Sequence, residues 1–332
     1  MRAFISDTPS VFVIGSPFQA MCLVSTIFNL DIKDYKVVVI HTDRYGQVES
    51  VLKKYEVPFT LVYVGWHRWK MRFYRILSIL HKKSRYTRLF LGDYRSCTLL
   101  YFGLQYVADG SDIVYLDDGN ATIPLFEDKA QYLMTGIDAK VSDLISRRKH
   151  MELMKYFYSI YEGYHNNKYV IEYNSLSSLC RHSSNEAGNK AYIIGPKIAL
   201  FCKRLGIEEK VFLETLERVI NELKNKYQKV TVTYIPHGKD TTELAKDFCF
   251  KKDIEYNKLS EPVELFLLNE MRPMAVFGFG SSALYNIKKM FPCSDVYNVR
   301  FGSVKNEKKA IEKETVIEYY RRNGIIQVDY NI

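Results

Sequence analysis

The strongest constraint on the fold is a repeated pattern. Short apolar runs, each closed by glycine, proline or a polar turn, alternate with stretches of helical periodicity. The runs stand at 11–14, 36–40, 60–64, 89–91 and 113–116, and again at 191–194, 229–235, 274–277 and 295–299. They are rich in Val, Ile, Tyr and Phe and too short for helices, so they predict buried strands. Helices are predicted between them at 18–28, around Val51 and Leu52, and at 71–81, 96–104, 208–227, 241–248, 263–270 and 308–322, with one more running to about Met290. The spacing of Phe212, Leu216, Val219, Ile220 and Leu223 puts one apolar stripe on the 208–227 helix. Strands alternating with helices imply an α/β protein with parallel, doubly wound sheets.

The alternation blurs from about 121 to 188, where 142–161 reads as helix and 175–190, rich in Ser and Asn, as a loop or linker. The expected domains are therefore 1–188 and 189–310, with 311–332 a C-terminal helix and tail packing back on them. A chain of 332 residues with 47% hydrophobic content can fill two cores.

Composition excludes several classes. No apolar run approaches the roughly eighteen residues of a membrane span, and Met1 to Thr8 lacks the apolar segment and cleavage site of a secretory signal. The six cysteines are widely spaced, without a Cys-x-x-Cys pair, and the seven histidines are scattered. They predict reduced thiols, a cytoplasmic protein and no metal site. The formal charge of +9 favours anionic partners. Basic residues concentrate at 67–75, at 81–88 and at Arg147-Arg148-Lys149-His150. Such clusters are either solvated helix faces or a surface for peripheral contact with anionic membrane.

The ends of the apolar runs carry the chemistry. The 113–116 run stops at Asp117-Asp118-Gly119, the 191–194 run at Gly195-Pro196-Lys197, the 229–235 run at Pro236-His237-Gly238-Lys239, and the 274–277 run at Gly278-Phe279-Gly280-Ser281-Ser282. Gly15-Ser16-Pro17 turns the first run into a helix, with Ser16 suited to its N-cap and Pro17 to its first position. Each motif alone is also ordinary turn or cap chemistry. Together, after successive strands, they supply a carboxylate to deprotonate a hydroxyl. They also supply an imidazole and helix N-termini to neutralise a departing phosphate.

On these motifs the chain resembles bacterial sialyltransferases of the GT-B fold, above all the lipooligosaccharide sialyltransferases of glycosyltransferase family 52 and the capsular polysialyltransferases. Their acidic-acidic-Gly, His-Pro and Ser/Thr motifs correspond to Asp117-Asp118-Gly119, His237 and Ser281-Ser282. Gly15-Ser16-Pro17-Phe18-Gln19 is similar to their first strand-to-helix turn. The resemblance implies two Rossmann-type domains with an interdomain cleft. It implies a metal-independent, inverting transfer of sialic acid from CMP-sialic acid to a hydroxyl of a lipooligosaccharide, O-antigen or capsule glycan. Asp117 would be the general base; Asp118, the less favoured of the two as base, would orient the loop. His237 would bind the CMP phosphate and assist its departure. Ser281 and Ser282 would hold the same phosphate, Glu264 the ribose hydroxyls, and Gly15, Ser16, Gly195, Lys197 and Gly280 would complete the donor site. One departure is Gly238, which stands where the family carries proline.

Three other readings fit part of the pattern. They are a GT-B transferase using CMP-Kdo or a UDP-sugar, a basic nucleic-acid-binding protein, and a capsule-assembly partner without activity. No recognisable nucleic-acid module accompanies the basic residues, and the retained Asp, His and Ser pair argues against a decayed site. The expected partners are a nucleotide-sugar donor and an oligosaccharide or glycolipid acceptor, with no nucleic acid and no cofactor. Oligomeric state, a dimer included, stays open.

Overall fold

Among the described residues thirteen strands form two sheets, and every pairing within them is parallel. The computed structural model describes residues 4–5, 7–63, 84–130, 144–165, 167–180, 186–301 and 307–330. The chain divides into the units Met1–Leu179 and Cys180–Ile332.

The first unit contains β1 (Ser10–Ile14), β2 (Tyr35–Ile40), β3 (Thr60–Val62), β4 (Arg88–Leu91), β5 (Asp112–Tyr115), β6 (Tyr156–Ser159) and β7 (Val170–Tyr173). Their order is β3-β2-β1-β4-β5-β6-β7. The second contains β8 (Lys190–Ile194), β9 (Thr231–Ile235), β10 (Glu255–Tyr256), β11 (Ala275–Gly278), β12 (Asp295–Phe301) and β13 (Ile326–Tyr330), in the order β10-β9-β8-β11-β12-β13. Both orders run outward from the first strand of the unit, then reverse, as in doubly wound nucleotide-binding folds. The expected α/β fold class is therefore present in both units.

The apolar runs are buried because helices cover parallel sheets on both faces. Strands β1, β4 and β11 are buried along their whole length. In the first unit Val11, Val13, Leu89, Leu91, Tyr115 and Phe157 share one core. In the second, α7 (Glu209–Lys226) buries the predicted stripe of Phe212, Leu216, Val219, Ile220 and Leu223 against Ile193, Val232 and Phe277. The other helices are α1 (Pro17–Asn29), α2 (Tyr45–Lys54), α3 (Cys97–Leu104), α4 (Thr122–Phe126), α5 (Leu144–Leu153), α6 (Ile198–Leu205), α8 (Leu244–Lys251), α9 (Val263–Leu267), α10 (Ala283–Met290) and α11 (Glu307–Arg322).

The structure differs from the sequence expectations at several elements. The helix expected over 142–161 ends at Leu153, and β6 follows. Tyr156-Phe157-Tyr158 favours a pleated surface, and Phe157 is fully buried in the first core. Strand β7 occupies part of the segment without clear pattern. The tail after α11 forms β13, which pairs with β12 from Tyr297↔Ile326 to Phe301↔Tyr330, so residues 326–330 belong to the second sheet.

The basic clusters are not uniform surfaces. Residues 67–83 lie outside the described residues, and with them the helix expected at 71–81. Arg88 is fully buried, donating to Ser10 Oγ (2.8 Å) and to the carbonyls of Ile5 (2.7 Å) and Thr8 (3.2 Å). His150 is also fully buried, whereas Arg148 is exposed and pairs with Glu152 at 3.0 Å. None of the six cysteines is in a disulfide. No helix among the described residues is long and apolar enough to cross a membrane.

Candidate active site

In a parallel sheet all C-terminal strand ends lie along one edge. Where the strand order reverses, the flanking crossovers leave a crevice. In the first unit that point lies between β1 and β4, with β5 and β6 beside it. Strand β1 leads into Gly15-Ser16, β4 into Gly92-Asp93-Tyr94-Arg95, β5 into Asp117-Asp118, and β6 into Ile160.

Gln19 joins three of these loops. Its Oε1 accepts from the backbone N–H of Gly15 (2.8 Å) and Ser16 (3.2 Å), while Ser16 Oγ accepts from the Gln19 N–H at 3.2 Å. This capping box satisfies orphan donors at the start of α1. Gln19 Nε2 then donates to Asp118 Oδ1 at 3.0 Å. Gly15 and Ser16, expected in the donor site, thus spend both N–H groups on Gln19 and act in holding Asp118. Gly92 makes room for this link, since a Cβ there would lie 2.5 Å from Gln19 Oε1. Arg95 completes the cradle. Its Nη2 pairs with Asp118 Oδ2, and its backbone N–H donates to Asp93 Oδ1 at 2.8 Å.

Asp117, the expected base, has a different place. It is fully buried, with Oδ1 accepting from Ser159 Oγ (2.8 Å) and Oδ2 from the Ile160 N–H (2.6 Å). Burial pushes its carboxyl up to about 7, against the lowering effect of the Ile160 and Ser159 hydrogen bonds. Its side chain ties the end of β5 to the end of β6. Asp118, with a side chain 20% exposed, is the carboxylate that solvent reaches at this turn.

A second set of supports carried no sequence signal. Tyr94 Oη donates to the Ala121 carbonyl at 2.8 Å, holding the turn after Asp118. The Tyr94 carbonyl in turn contacts Nε2 of the buried His150, whose Nδ1 lies 3.6 Å from Cys97 Sγ.

In the second unit the reversal lies between β8 and β11, with β9 on the other side of β8. Gly195 follows β8 and donates its N–H to the Ile235 carbonyl at 2.8 Å. A methyl group on Gly195 would overlap the hydroxyl of the buried Tyr234, so the packing of that side chain against the turn favours glycine. Lys197 is exposed at the N-cap of α6. After β9, His237 is exposed and its Nδ1 accepts from the Lys239 N–H at 3.1 Å. In the neutral ring the proton therefore sits on Nε2, which becomes the donor.

After β11, Gly280 adopts φ +71°, a conformation that favours glycine, and donates its N–H to Asn298 Oδ1 at 2.8 Å. Gly280 thus shapes the turn. Ser281 and Ser282 open α10. Ser281 Oγ accepts from the Ala283 N–H at 3.3 Å, its carbonyl accepts from Tyr320 Oη at 2.8 Å, and the Ser282 hydroxyl makes no cap bond. Glu264 is buried on α9 and accepts from Asn286 Nδ2 of α10 at 2.7 Å, which links it to the helix that the serines open. Gly195, Lys197, His237, Gly280, Ser281 and Ser282 thus stand at one edge of the second sheet, on neighbouring strand ends. Among the described residues no group of three or more His, Cys, Asp or Glu side chains is arranged to hold a metal ion.

Two Rossmann-like units, each with candidate site residues at its C-terminal strand ends, match the GT-B class of fold. Solved structures share it. The UDP-GlcNAc 2-epimerase of Neisseria meningitidis, solved with UDP-GlcNAc bound, superposes with a TM-score of 0.53 at 12% identity, over 95% of this chain and 91% of that one. MurG of Acinetobacter baumannii gives 0.51 at 8% identity, over 97% and 86%. A sialyltransferase from Photobacterium damsela gives 0.50 at 10% identity, over 96% and 81%. At such identities the likeness is one of fold. No family model matches the chain, and no curated protein matches it in sequence.

Proposed function

We propose that this chain is an inverting glycosyltransferase that moves sialic acid from CMP-sialic acid to a hydroxyl of a cell-surface glycan on lipooligosaccharide, O-antigen or capsule. One observation carries the reading: a solvent-reached carboxylate, Asp118, held by Gln19 and Arg95 at the end of β5, occurs in a GT-B chain. The same chain presents an imidazole Nε2 donor at the end of β9 and, two strands along the same sheet edge, a serine pair at a helix start. The motif resemblance supports sialic acid as the sugar.

The acceptor hydroxyl gives its proton to Asp118, and its oxygen bonds to the anomeric carbon of sialic acid. The bond from that carbon to the CMP phosphate oxygen breaks on the opposite face, so configuration inverts. Nε2 of His237 donates to the departing phosphate, while Ser281, Ser282 and the N-terminus of α10 stabilise its charge. Lys197 adds a cation at the same strand-end edge, and Glu264 takes the ribose hydroxyls. Asp117 keeps the base in place from the β6 side. The acceptor's membrane anchorage and the +9 charge favour peripheral association with the inner face of a cytoplasmic membrane.

The test is incubation with CMP-sialic acid and a panel of galactosides and sialosides, with product separated by mass. Transfer is expected. Absence of both transfer and donor hydrolysis, or C2 epimerisation of UDP-GlcNAc in a parallel reaction, overturns the proposal. Asp118→Asn is expected to lower kcat by about 10²–10⁴-fold with an unchanged circular dichroism spectrum. Asp117→Asn should cost less. The reverse order would return the base to Asp117.

A further inference from the structure

The C-terminal edge of the first sheet carries one feature that the proposed chemistry does not use. His41 follows β2 and Tyr63 follows β3, and both are exposed, Tyr63 to 72%. Their rings stack with centroids 4.4 Å apart and planes 24° apart. His41 also stacks on Tyr45 of α2, at 5.8 Å and 26°, and Tyr45 meets Phe59 edge-on at 6.3 Å. A single exposed aromatic residue needs no explanation. A stack of rings that ends in an exposed tyrosine presents a flat platform to a planar or ring-shaped partner.

The platform is tied to the carboxylate cradle. Thr42 Oγ1 donates to the Gly15 carbonyl at 3.1 Å, Gly15 N–H to Gln19 Oε1 at 2.8 Å, and Gln19 Nε2 to Asp118 Oδ1 at 3.0 Å. The occupant is not the nucleotide. In a Rossmann unit a nucleotide's phosphates would sit on the first strand-to-helix turn, and here Gln19 already takes the N–H groups of Gly15 and Ser16. An uncharged sugar ring, with an apolar face of C–H groups, fits the platform instead.

Spacing gives the length of that partner. From β2 to β5 the sheet order takes three strand steps, β2-β1-β4-β5, or about 14 Å at the usual strand separation. That is several times the width of one pyranose. We propose that His41 and Tyr63 form a remote acceptor subsite that stacks a sugar two or more residues away from the one receiving the transfer, so that the enzyme prefers oligosaccharide acceptors. The proposal rests on the glycosyltransferase reading for the location of the reacting hydroxyl.

The experiment compares wild type with Tyr63→Ala and His41→Ala on galactose-terminated acceptors of two, three and four sugars. Wild type should show kcat/KM rising with acceptor length. Tyr63→Ala should lower kcat/KM for the tetrasaccharide by about 3- to 10-fold through KM, leaving the disaccharide and donor hydrolysis unchanged. Equal losses on all lengths, or none on any, overturn it. Calorimetric binding of the same sugars, without donor, separates the two claims. Binding that grows with length and falls in Tyr63→Ala upholds the subsite even if no transfer is seen, and length-independent binding rejects it even if transfer occurs.

Discussion

Asp117 and Asp118 are neighbours in sequence with opposite environments. The Asp-Asp-Gly motif does not tell the two apart, because their difference is made by partners far away in the chain. Ser159 and Ile160 enclose one, while Gln19 and Arg95 hold the other. The buried member has a consequence for stability. Its folded pKa, about 7, lies above the value of about 4 in an unfolded chain. Between those limits the folded state binds more protons than the unfolded state, so the stabilising contribution is complete below about pH 4 and is lost as pH rises through 7. Asp117→Asn removes this dependence. Urea unfolding at pH 5 and pH 8 should show wild type losing stability relative to the Asn variant, by on the order of a few kcal/mol. Parallel behaviour of the two proteins would show that the carboxyl is ionised throughout.

At the level of elements, the runs that became β1, β4, β5, β8, β9 and β11 were readable because buried parallel strands are nearly continuous in apolar residues. These strands carry the candidate site, so its positions along both sheet edges were readable with them. Strand β6 was hidden by the helix before it. Strand β13 was hidden because five residues after a charged helix resemble a tail until a partner, β12, is known. The cradle around Asp118 was unreadable for a similar reason. Gln19, the Gly92–Arg95 loop and Asp118 come from three separate stretches, and only the register of β1 beside β4 beside β5 brings them together. Gly92 makes this testable. A methyl group there collides with the Gln19 side chain. Gly92→Ala should therefore displace the Gln19–Asp118 link and lower transfer at least about tenfold, at a smaller cost to helix α1, whose Ser16 cap contributes about 1 kcal/mol. Full activity in Gly92→Ala would show that the link does not position the base.

The whole molecule repeats one strand order, and no strand of either sheet is borrowed from the other unit. Each unit has its own core, so unfolding should depart from a single two-state transition. Scanning calorimetry is expected to give a van't Hoff enthalpy below the calorimetric one; equal enthalpies would mean that the units melt together. The first sheet is complete at Tyr173, and a polar network of Ser25, Asn29, Asn174 and Ser175 fixes the chain just beyond it. That placement sets an order of events during synthesis. When Leu179 joins the growing chain, every described strand of the first sheet has been made, and residues 180–332 are still to follow. At about 5–20 residues per second the remainder takes on the order of 10–30 s. The nascent first unit can thus begin to close its core while most strands of the second, which repeat its pattern, have yet to emerge.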